Sequence, residues 1–157
     1  MTSKDSDSAS AESSAAASPA LASPALASVT TEVRYAETDQ MGVVHHAVYP
    51  VWFELARTHL CKQTGSSYAQ IEESGFLLLV TKLTVEYRNA ARYPDSVTTI
   101  CRLDRFASRA LRFAYDVLVD EKLLARGTTE HVWLNVATGK TCRIPAHLAE
   151  PFARLAR

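Results

Sequence analysis

The chain has 157 residues, and because Lys+Arg and Asp+Glu both number 17, its formal net charge is zero. This length suits one domain with its own core, and the balanced charge argues against nucleic-acid binding, which usually needs a basic excess. No window reaches the roughly 18 apolar residues of a membrane-spanning helix, so we expect no membrane partner. Cys61, Cys101 and Cys142 are widely spaced, which argues against a disulfide framework and predicts a reducing, cytoplasmic compartment.

The first 29 residues differ in composition from the rest of the chain. They are almost entirely Ala, Ser and Pro, with two copies of ASPAL and no aromatic side chain. Such a segment cannot bury enough apolar surface to offset chain entropy, which predicts a disordered tail over 1–29 and one folded domain over 30–157. A secretory signal is the competing interpretation, but the segment lacks a continuous apolar stretch and carries acids near its start.

The first predicted elements are a short strand and an amphipathic helix. Residues 30–38, TTEVRYAET, are rich in β-branched and aromatic side chains, which favours a strand. Gly42 then indicates a turn, and Pro50 suits the first turn of a helix. Apolar residues recur along this helix at helical spacing and predict a deeply buried stripe: Tyr49, Trp52, Phe53, Ala56 and Leu60. Glu54, Arg57 and Lys62 fall away from that stripe and should face solvent.

The second half of the chain predicts an antiparallel sheet. Ser67 and Gln70 form a capping-box pattern for a second short helix, which Gly75 would end. The period then changes to two, and predicted strands follow over 76–89, 95–106, 109–119 and 122–137, with a terminal helix from Pro145 to Leu155. Because the connections are short, successive strands should be neighbours. The economical arrangement is an α+β fold, with one curved antiparallel sheet wrapped around the long apolar helix.

The stretch RYAETDQMGVVHHAVYPVWFELAR, residues 34–57, resembles the signature of a known family. It is similar to the 4-hydroxybenzoyl-CoA thioesterase family, especially its bacterial acyl-CoA thioesterase branch, whose members have the hotdog fold. The matching positions are an acid, a glycine, two apolar residues, a histidine, an aromatic residue and the helix: Asp39, Gly42, Val43, Val44, His46, Tyr49 and Trp52-Phe53. His45 departs from the pattern, because relatives often carry an aromatic residue there.

The resemblance implies hydrolysis of an acyl-CoA to the free acid and CoA. A thiol leaving group has a pKa of roughly 8.5 and departs without a strong general acid, so the site must only deliver water and stabilise an oxyanion. By resemblance, Asp39 acts as general base or nucleophile, and the backbone N–H of His46 polarises the thioester carbonyl. Gly42, Val43 and Tyr49 would contact substrate. No metal or redox cofactor is required, since coenzyme A enters only as part of the substrate.

Other interpretations of these residues stay open. Asp39 could be a turn or cap carboxylate that only satisfies backbone donors. A metal at His45 and His46 is disfavoured, because adjacent histidines tend to point apart and neither HxxxH nor HxH occurs. Cys61 lacks a recognisable histidine partner and is best interpreted as a buried filler. The absence of GxSxG argues against an α/β-hydrolase.

The phosphates of coenzyme A need basic partners. The segment DRFASRALR, residues 104–112, is a predicted hairpin near which the family often binds the nucleotide, so the resemblance implies contacts from Arg105, Ser108 and Arg109. Arg92 and Lys140 are weaker candidates, and a solvated charged hairpin is the alternative. The resemblance also implies a homodimer or homotetramer with an active site shared between subunits, because pairing blunts exposed sheet edges.

Two rival functions remain. One is a hotdog hydratase or dehydratase acting on acyl thioesters, which His46 keeps open although the TDQMG context does not favour it. The other is a non-catalytic acyl-CoA-binding module, which would need a DNA-binding extension to act as a sensor, and the first 29 residues show no helix-turn-helix pattern. Asp39→Ala separates these functions, because a thioesterase should lose turnover and keep acyl-CoA binding, whereas a sensor has no turnover to lose.

Overall fold

The computed structural model describes residues 25–156. Three α-helices are present in this part of the chain, α1 (Val48–Lys62), α2 (Tyr68–Glu73) and α3 (Ala146–Leu155), together with a 3₁₀ turn over Tyr35–Glu37. Six strands form one antiparallel sheet: β1 (Leu26–Glu32), β2 (Phe76–Tyr87), β3 (Ser96–Phe106), β4 (Ala110–Val119), β5 (Lys122–Asn135) and β6 (Lys140–Cys142). No helix in this range is long and apolar enough to cross a membrane.

The sheet follows the order β1-β3-β4-β5-β2, and β6 pairs with the end of β5. Helix α1 packs on its inner face, so the predicted α+β hotdog architecture is confirmed. The residues of the predicted helix stripe are all buried, namely Tyr49, Trp52, Phe53, Ala56 and Leu60. Phe53 lies flat on Tyr115 of the central strand β4, with ring centroids 4.3 Å apart and an interplanar angle of 6°.

The predicted exposure of Arg57 is wrong. Its side chain is only 7% exposed, and its guanidinium donates to the hydroxyls of Tyr68 at 3.0 Å and Tyr115 at 3.3 Å. The reason lies in the tertiary structure, because Tyr68 at the start of α2 covers the side of α1 that the helical period alone assigned to solvent. The buried face of α1 is therefore wider than its apolar stripe.

The first strand lies earlier than the sequence predicts. Strand β1 spans Leu26–Glu32 and pairs with β3, for example Val29 with Thr99, so the sheet includes four residues that composition assigned to the tail. The segment expected to complete the strand instead forms the 3₁₀ turn, where the Arg34 N–H and guanidinium both bond the Glu37 carboxylate at 2.8 Å. The remainder of the predicted tail, residues 1–24, lies outside the described part of the chain.

The later elements lie close to their predicted bounds, but the prediction that successive strands are neighbours is wrong for β2 and β3. Strand β2 pairs with β5 instead, so of the four predicted strands only β3, β4 and β5 lie side by side in chain order. Strands β3, β4 and β5 begin and end within two residues of the predicted bounds, and α3 starts directly after Pro145. The predicted capping box is confirmed, because Ser67 and Gln70 exchange side chain to backbone hydrogen bonds. Strand β2 carries a register shift between Val80 and Lys82, which explains why its apolar pattern changes partway along.

Candidate active site

Asp39 lies in a tight turn between Thr38 and Val44, which form an isolated antiparallel bridge. Its Oδ1 accepts the Met41 N–H at 2.8 Å, and its backbone exchanges hydrogen bonds of 2.9 Å with the Val43 carbonyl and the Gly42 N–H. Gly42 has φ +68°, a left-handed conformation that glycine adopts without the Cβ penalty. The carboxylate is thus oriented by one oxygen, while within residues 25–156 the other, Oδ2, accepts no hydrogen bond.

The turn is also held from the segment that follows β2. The Val44 N–H donates to the Ala91 carbonyl at 2.9 Å, and Arg92 Nη1 donates to the Gly42 carbonyl at 3.1 Å. Arg92 is a weaker sequence candidate for a phosphate contact, and in the structure its guanidinium donates to the backbone of the Asp39 turn.

The segment that leads into α1 lines the same cleft as this carboxylate, and most of its backbone groups are already hydrogen-bonded. The His45 N–H donates to the Glu37 carbonyl at 2.8 Å, the Ala47 N–H to His45 Nδ1 at 3.2 Å, and the Tyr87 hydroxyl to the His46 carbonyl at 2.8 Å. Within the described residues the His46 N–H donates to no protein acceptor. An unpaired N–H at the positive end of a helix dipole can stabilise a developing negative charge.

These groups surround an open cleft of about 350 Å³. Its floor is aromatic, because the buried Tyr49 meets Tyr87 edge to face with ring centroids 5.1 Å apart. Burial raises the pKa of the Tyr49 hydroxyl, so this phenol stays neutral at physiological pH. The lining residues are Asp39, Met41, Val43, Val44, His46, Tyr49, Tyr87, Arg88, Asn89 and Ala90.

The structure therefore brings together the predicted residues that lie close in sequence. Asp39, Val43, His46 and Tyr49 line one cleft, and Gly42 shapes the turn beside it. One wall of the cleft was not predicted from the sequence: it is formed by the end of β2 and the residues after it, including Tyr87 and Asn89. The sequence signal for this wall is the alternation of apolar and polar residues that ends at Tyr87. Such an alternation shows that one face of the strand is apolar, but it does not show which other element packs on that face.

The structure does not bring Arg105, Ser108 and Arg109 to the cleft within one subunit. In the sheet register Arg105 lies level with Lys82 of β2, five residues from Tyr87 and so roughly 17 Å away along the strand. The hairpin backbone docks elsewhere: the Ser108 carbonyl accepts the Ile144 N–H at 2.7 Å, and the Arg109 carbonyl accepts the Trp133 N–H at 3.4 Å.

Neither the histidine pair nor Cys61 offers a different chemistry. The expectation that His45 and His46 point apart is wrong, because their ring centroids are 4.0 Å apart. Among residues 25–156, however, no group of three His, Cys, Asp or Glu side chains is placed to hold a metal ion. Cys61 is fully buried and burial raises the pKa of its thiol to about 12, so it remains a neutral thiol as a buried filler should.

Comparison with known proteins assigns this arrangement to a family. Residues 33–152 match the family described as the thioesterase-like superfamily. The chain belongs to the thioesterase-like superfamily. It is 30% identical over 92 residues to the acyl-CoA thioester hydrolase YbgC of Escherichia coli O157:H7, an alignment that covers 59% of this chain and 69% of that protein.

Solved structures of the same fold support the membership of the thioesterase-like superfamily. The hypothetical protein TT1821 from Thermus thermophilus superposes with a TM-score of 0.79 at 38% identity, over 82% of this chain and 98% of that one. The DHNA-CoA thioesterase from Staphylococcus aureus gives 0.78 at 30% identity, over 83% and 90%. The chain is thus a thioester hydrolase, and the cleft at Asp39 is its candidate active site.

Proposed function

We propose that this protein hydrolyses acyl-CoA thioesters at the Asp39 cleft, and that it belongs to the bacterial acyl-CoA branch of the 4-hydroxybenzoyl-CoA thioesterase family. One observation carries the proposal: the Asp39 carboxylate is oriented through Oδ1 and shares a cleft with the His46 N–H, and among residues 25–156 neither Oδ2 nor that N–H has a hydrogen-bond partner. The names of the relatives support the substrate class, since YbgC of Escherichia coli is an acyl-CoA thioester hydrolase and the Staphylococcus aureus protein is a DHNA-CoA thioesterase.

The chemistry requires one base and one oxyanion donor. In the first route Oδ2 of Asp39 takes a proton from water, the water oxygen bonds the acyl carbon, and the negative charge on the carbonyl oxygen is held by the His46 N–H. Collapse then breaks the C–S bond, and the CoA thiolate leaves and is protonated. In the second route Asp39 itself attacks, forming an anhydride that water hydrolyses. Either route needs no metal or redox cofactor.

A homodimer would complete this site. Strand β2 ends the sheet of one subunit, and three of its inner-face apolar residues are largely exposed: Val80 at 51%, Leu83 at 42% and Tyr87 at 50%. A long apolar edge strand favours pairing with another strand. Two copies of β2 related by a two-fold axis must run antiparallel, so the Val80 end of the partner would approach Tyr87 and the cleft.

This geometry gives the predicted nucleotide contacts a role across the interface. Arg105, Ser108 and Arg109 lie toward the Val80 end of their own sheet, away from their own cleft. In the proposed dimer they would serve the phosphates of a CoA bound at the partner's Asp39. We also propose a cytoplasmic location, since none of the three cysteines, all within the described residues, forms a disulfide.

The test of the proposed function is thiol release from a panel of short, branched, aromatic and long acyl-CoAs. Asp39→Asn is the decisive variant, because an asparagine Oδ1 can still accept the Met41 N–H and keep the turn while the negative charge is lost. We expect its kcat to fall about 100-fold or more, with acyl-CoA binding retained. Glu150→Gln on the exposed face of α3 is the control for loss of one charge.

Three outcomes separate the hypotheses. Loss of turnover with retained binding in Asp39→Asn supports the thioesterase. Full thiol release by that variant removes Asp39 from catalysis of the hydrolysis. Binding of acyl-CoAs without thiol release by the wild-type protein contradicts acyl-CoA hydrolysis and leaves hydratase chemistry or a non-catalytic binding module.

A further inference from the structure

The turn that carries Asp39 is clamped at its glycine. Inside the turn, Oδ1 of Asp39 and the Gly42 N–H make short-range hydrogen bonds, and these leave the Gly42 carbonyl pointing outward. Arg92 Nη1 donates to that carbonyl at 3.1 Å, and an added Cβ on Gly42 would stand 3.7 Å from the same nitrogen. The guanidinium therefore lies directly against the one residue of the turn that has a left-handed backbone.

Arg92 is itself fixed at its backbone. Its N–H donates to Oδ2 of Asp95 at 2.8 Å, and its carbonyl accepts the Asp95 N–H at 2.7 Å. The Asp95 carbonyl in turn accepts the N–H of Val33, which is fully buried. The preceding residue, Ala91, is fully buried and bonds Val44. The exposed Arg92 side chain thus extends to Gly42 from a backbone that is hydrogen-bonded to Asp95 and follows the buried Ala91.

The position of Gly42 controls the position of the Asp39 carboxylate. The Gly42 N–H and the Val43 carbonyl both bond the backbone of Asp39, so rotation of the peptide between Gly42 and Val43 would shift the residue that carries the carboxylate. A displacement of about 1 Å at a reacting group can cost up to 100-fold in rate. A bond that holds this peptide in one orientation therefore affects the step in which Asp39 acts.

We propose that Arg92 is a positioning residue for thioester hydrolysis, acting through the Gly42 carbonyl on the Asp39 turn, and that it is not a ligand of the CoA phosphates. This proposal rests on the proposed function, because it assigns Asp39 the reacting role. Arg92 is not among the residues that line the cleft, so it acts on the reaction only through the backbone.

Phosphate-free substrates distinguish the two roles of Arg92. Wild type, Arg92→Gln, Arg92→Lys and the distant control Arg154→Ala would be assayed with one acyl group on CoA and on N-acetylcysteamine, which has a thioester but no phosphate. A positioning residue predicts that Arg92→Gln lowers kcat about tenfold on both thioesters, with KM on acyl-CoA changed less than twofold. Arg92→Lys should recover part of the rate, because an ammonium can still donate to the Gly42 carbonyl.

A loss confined to acyl-CoA and expressed as a higher KM would overturn the proposal in favour of phosphate binding. Unchanged kinetics on both thioesters would overturn it as well. Amide hydrogen exchange supplies a measurement that does not depend on activity: Arg92→Gln should speed exchange across 39–44 at least threefold and leave the α1 core unchanged. Unchanged exchange in that segment would reject the clamp, whereas a wild-type protein that cleaves no thioester would reject the proposed function alone.

Discussion

Gly127 of β5 lies directly beneath the ring of Phe53 on α1. A Cβ placed on Gly127 would collide with that ring and would stand 2.6 Å from the Thr84 carbonyl oxygen of β2. Gly127 also pairs with Tyr115 of β4, the residue on which Phe53 stacks. The packing of Phe53 against the sheet therefore requires a residue without a side chain at position 127.

Gly127→Ala should lower the free energy of unfolding by about 1–3 kcal/mol, because Phe53 must leave its stacked position or α1 must move away from the sheet. The measurement is urea unfolding followed by far-UV circular dichroism. Thr141→Ala, at an exposed position of β6, is the control and should change stability by no more than about 0.5 kcal/mol. Equal stability of Gly127→Ala and wild type would show that α1 adjusts at no cost.

The sequence predicts this fold well where local pattern decides it. The stripe from Tyr49 to Leu60 and the two-residue period of β3, β4 and β5 each specify which face is buried, and both are confirmed. In β2 the same period does not mark a buried face within one subunit, because Leu83 and Tyr87 are 42% and 50% exposed. The misplaced β1 has a tertiary cause. Small residues such as Ala27 and Ser28 have weak strand preference, yet β3 supplies the partner that orders them.

In the candidate site, too, local sequence predicts some residues, whereas others are brought in only by tertiary contacts. Asp39, Gly42 and His46 fall within one continuous motif, so the order of residues along the chain is enough to group them. Tyr87 and Arg92 join the site only because β2 ends beside α1, a contact between residues more than 40 positions apart. The hairpin arginines could not be placed from one chain, because their predicted role depends on a second subunit.

The buried Arg57 predicts an energetic coupling between α1 and α2. Its Nε bonds the Tyr68 hydroxyl, and among the described residues it forms no ion pair with a carboxylate. Arg57→Met should cost about 1–3 kcal/mol, since the methionine leaves the Tyr68 hydroxyl without this donor. In a double-mutant cycle with Tyr68→Phe, urea unfolding should give a coupling of about 0.5 kcal/mol or more. Strictly additive effects would contradict the importance of this hydrogen bond.

His131 should make stability depend on pH. The residue is fully buried, and burial, with the nearby Arg57 cation, lowers its pKa from 6.5 to about 4. Between these two values the unfolded chain binds a proton that the folded protein excludes. Stability from this group is therefore complete above pH 6.5 and is lost as the pH falls toward 4, by about 3 kcal/mol in total.

The pH prediction is checked by comparing two unfolding series, for wild type and for His131→Gln, between pH 7.5 and 4. The glutamine can still bond Thr129, as His131 Nε2 does at 2.8 Å, but it does not titrate. The variant should lose less stability than wild type over this range. Parallel curves for the two proteins would show that folding does not lower the pKa of His131.

The edge of β2 predicts that assembly and activity are coupled. Leu83 faces the inner side of the sheet, is 42% exposed in one subunit, and would be covered in the proposed dimer. Leu83→Lys should therefore shift the protein toward monomer in sedimentation velocity, because the interface would have to bury an unpaired ammonium. Turnover of acyl-CoA should fall about tenfold or more, since the Arg105 hairpin of the partner is then absent from the cleft.

Lys82→Ser is the matched control, since residue 82 lies on the same strand with its side chain on the opposite face. It should sediment as wild type does. A phosphate-free thioester provides the sharper comparison, because its hydrolysis does not use the partner's arginines and should suffer less than acyl-CoA hydrolysis in Leu83→Lys. A monomeric Leu83→Lys that cleaves acyl-CoA at the wild-type rate would show that one subunit contains the whole active site, and the hairpin arginines would then have no part in binding the nucleotide.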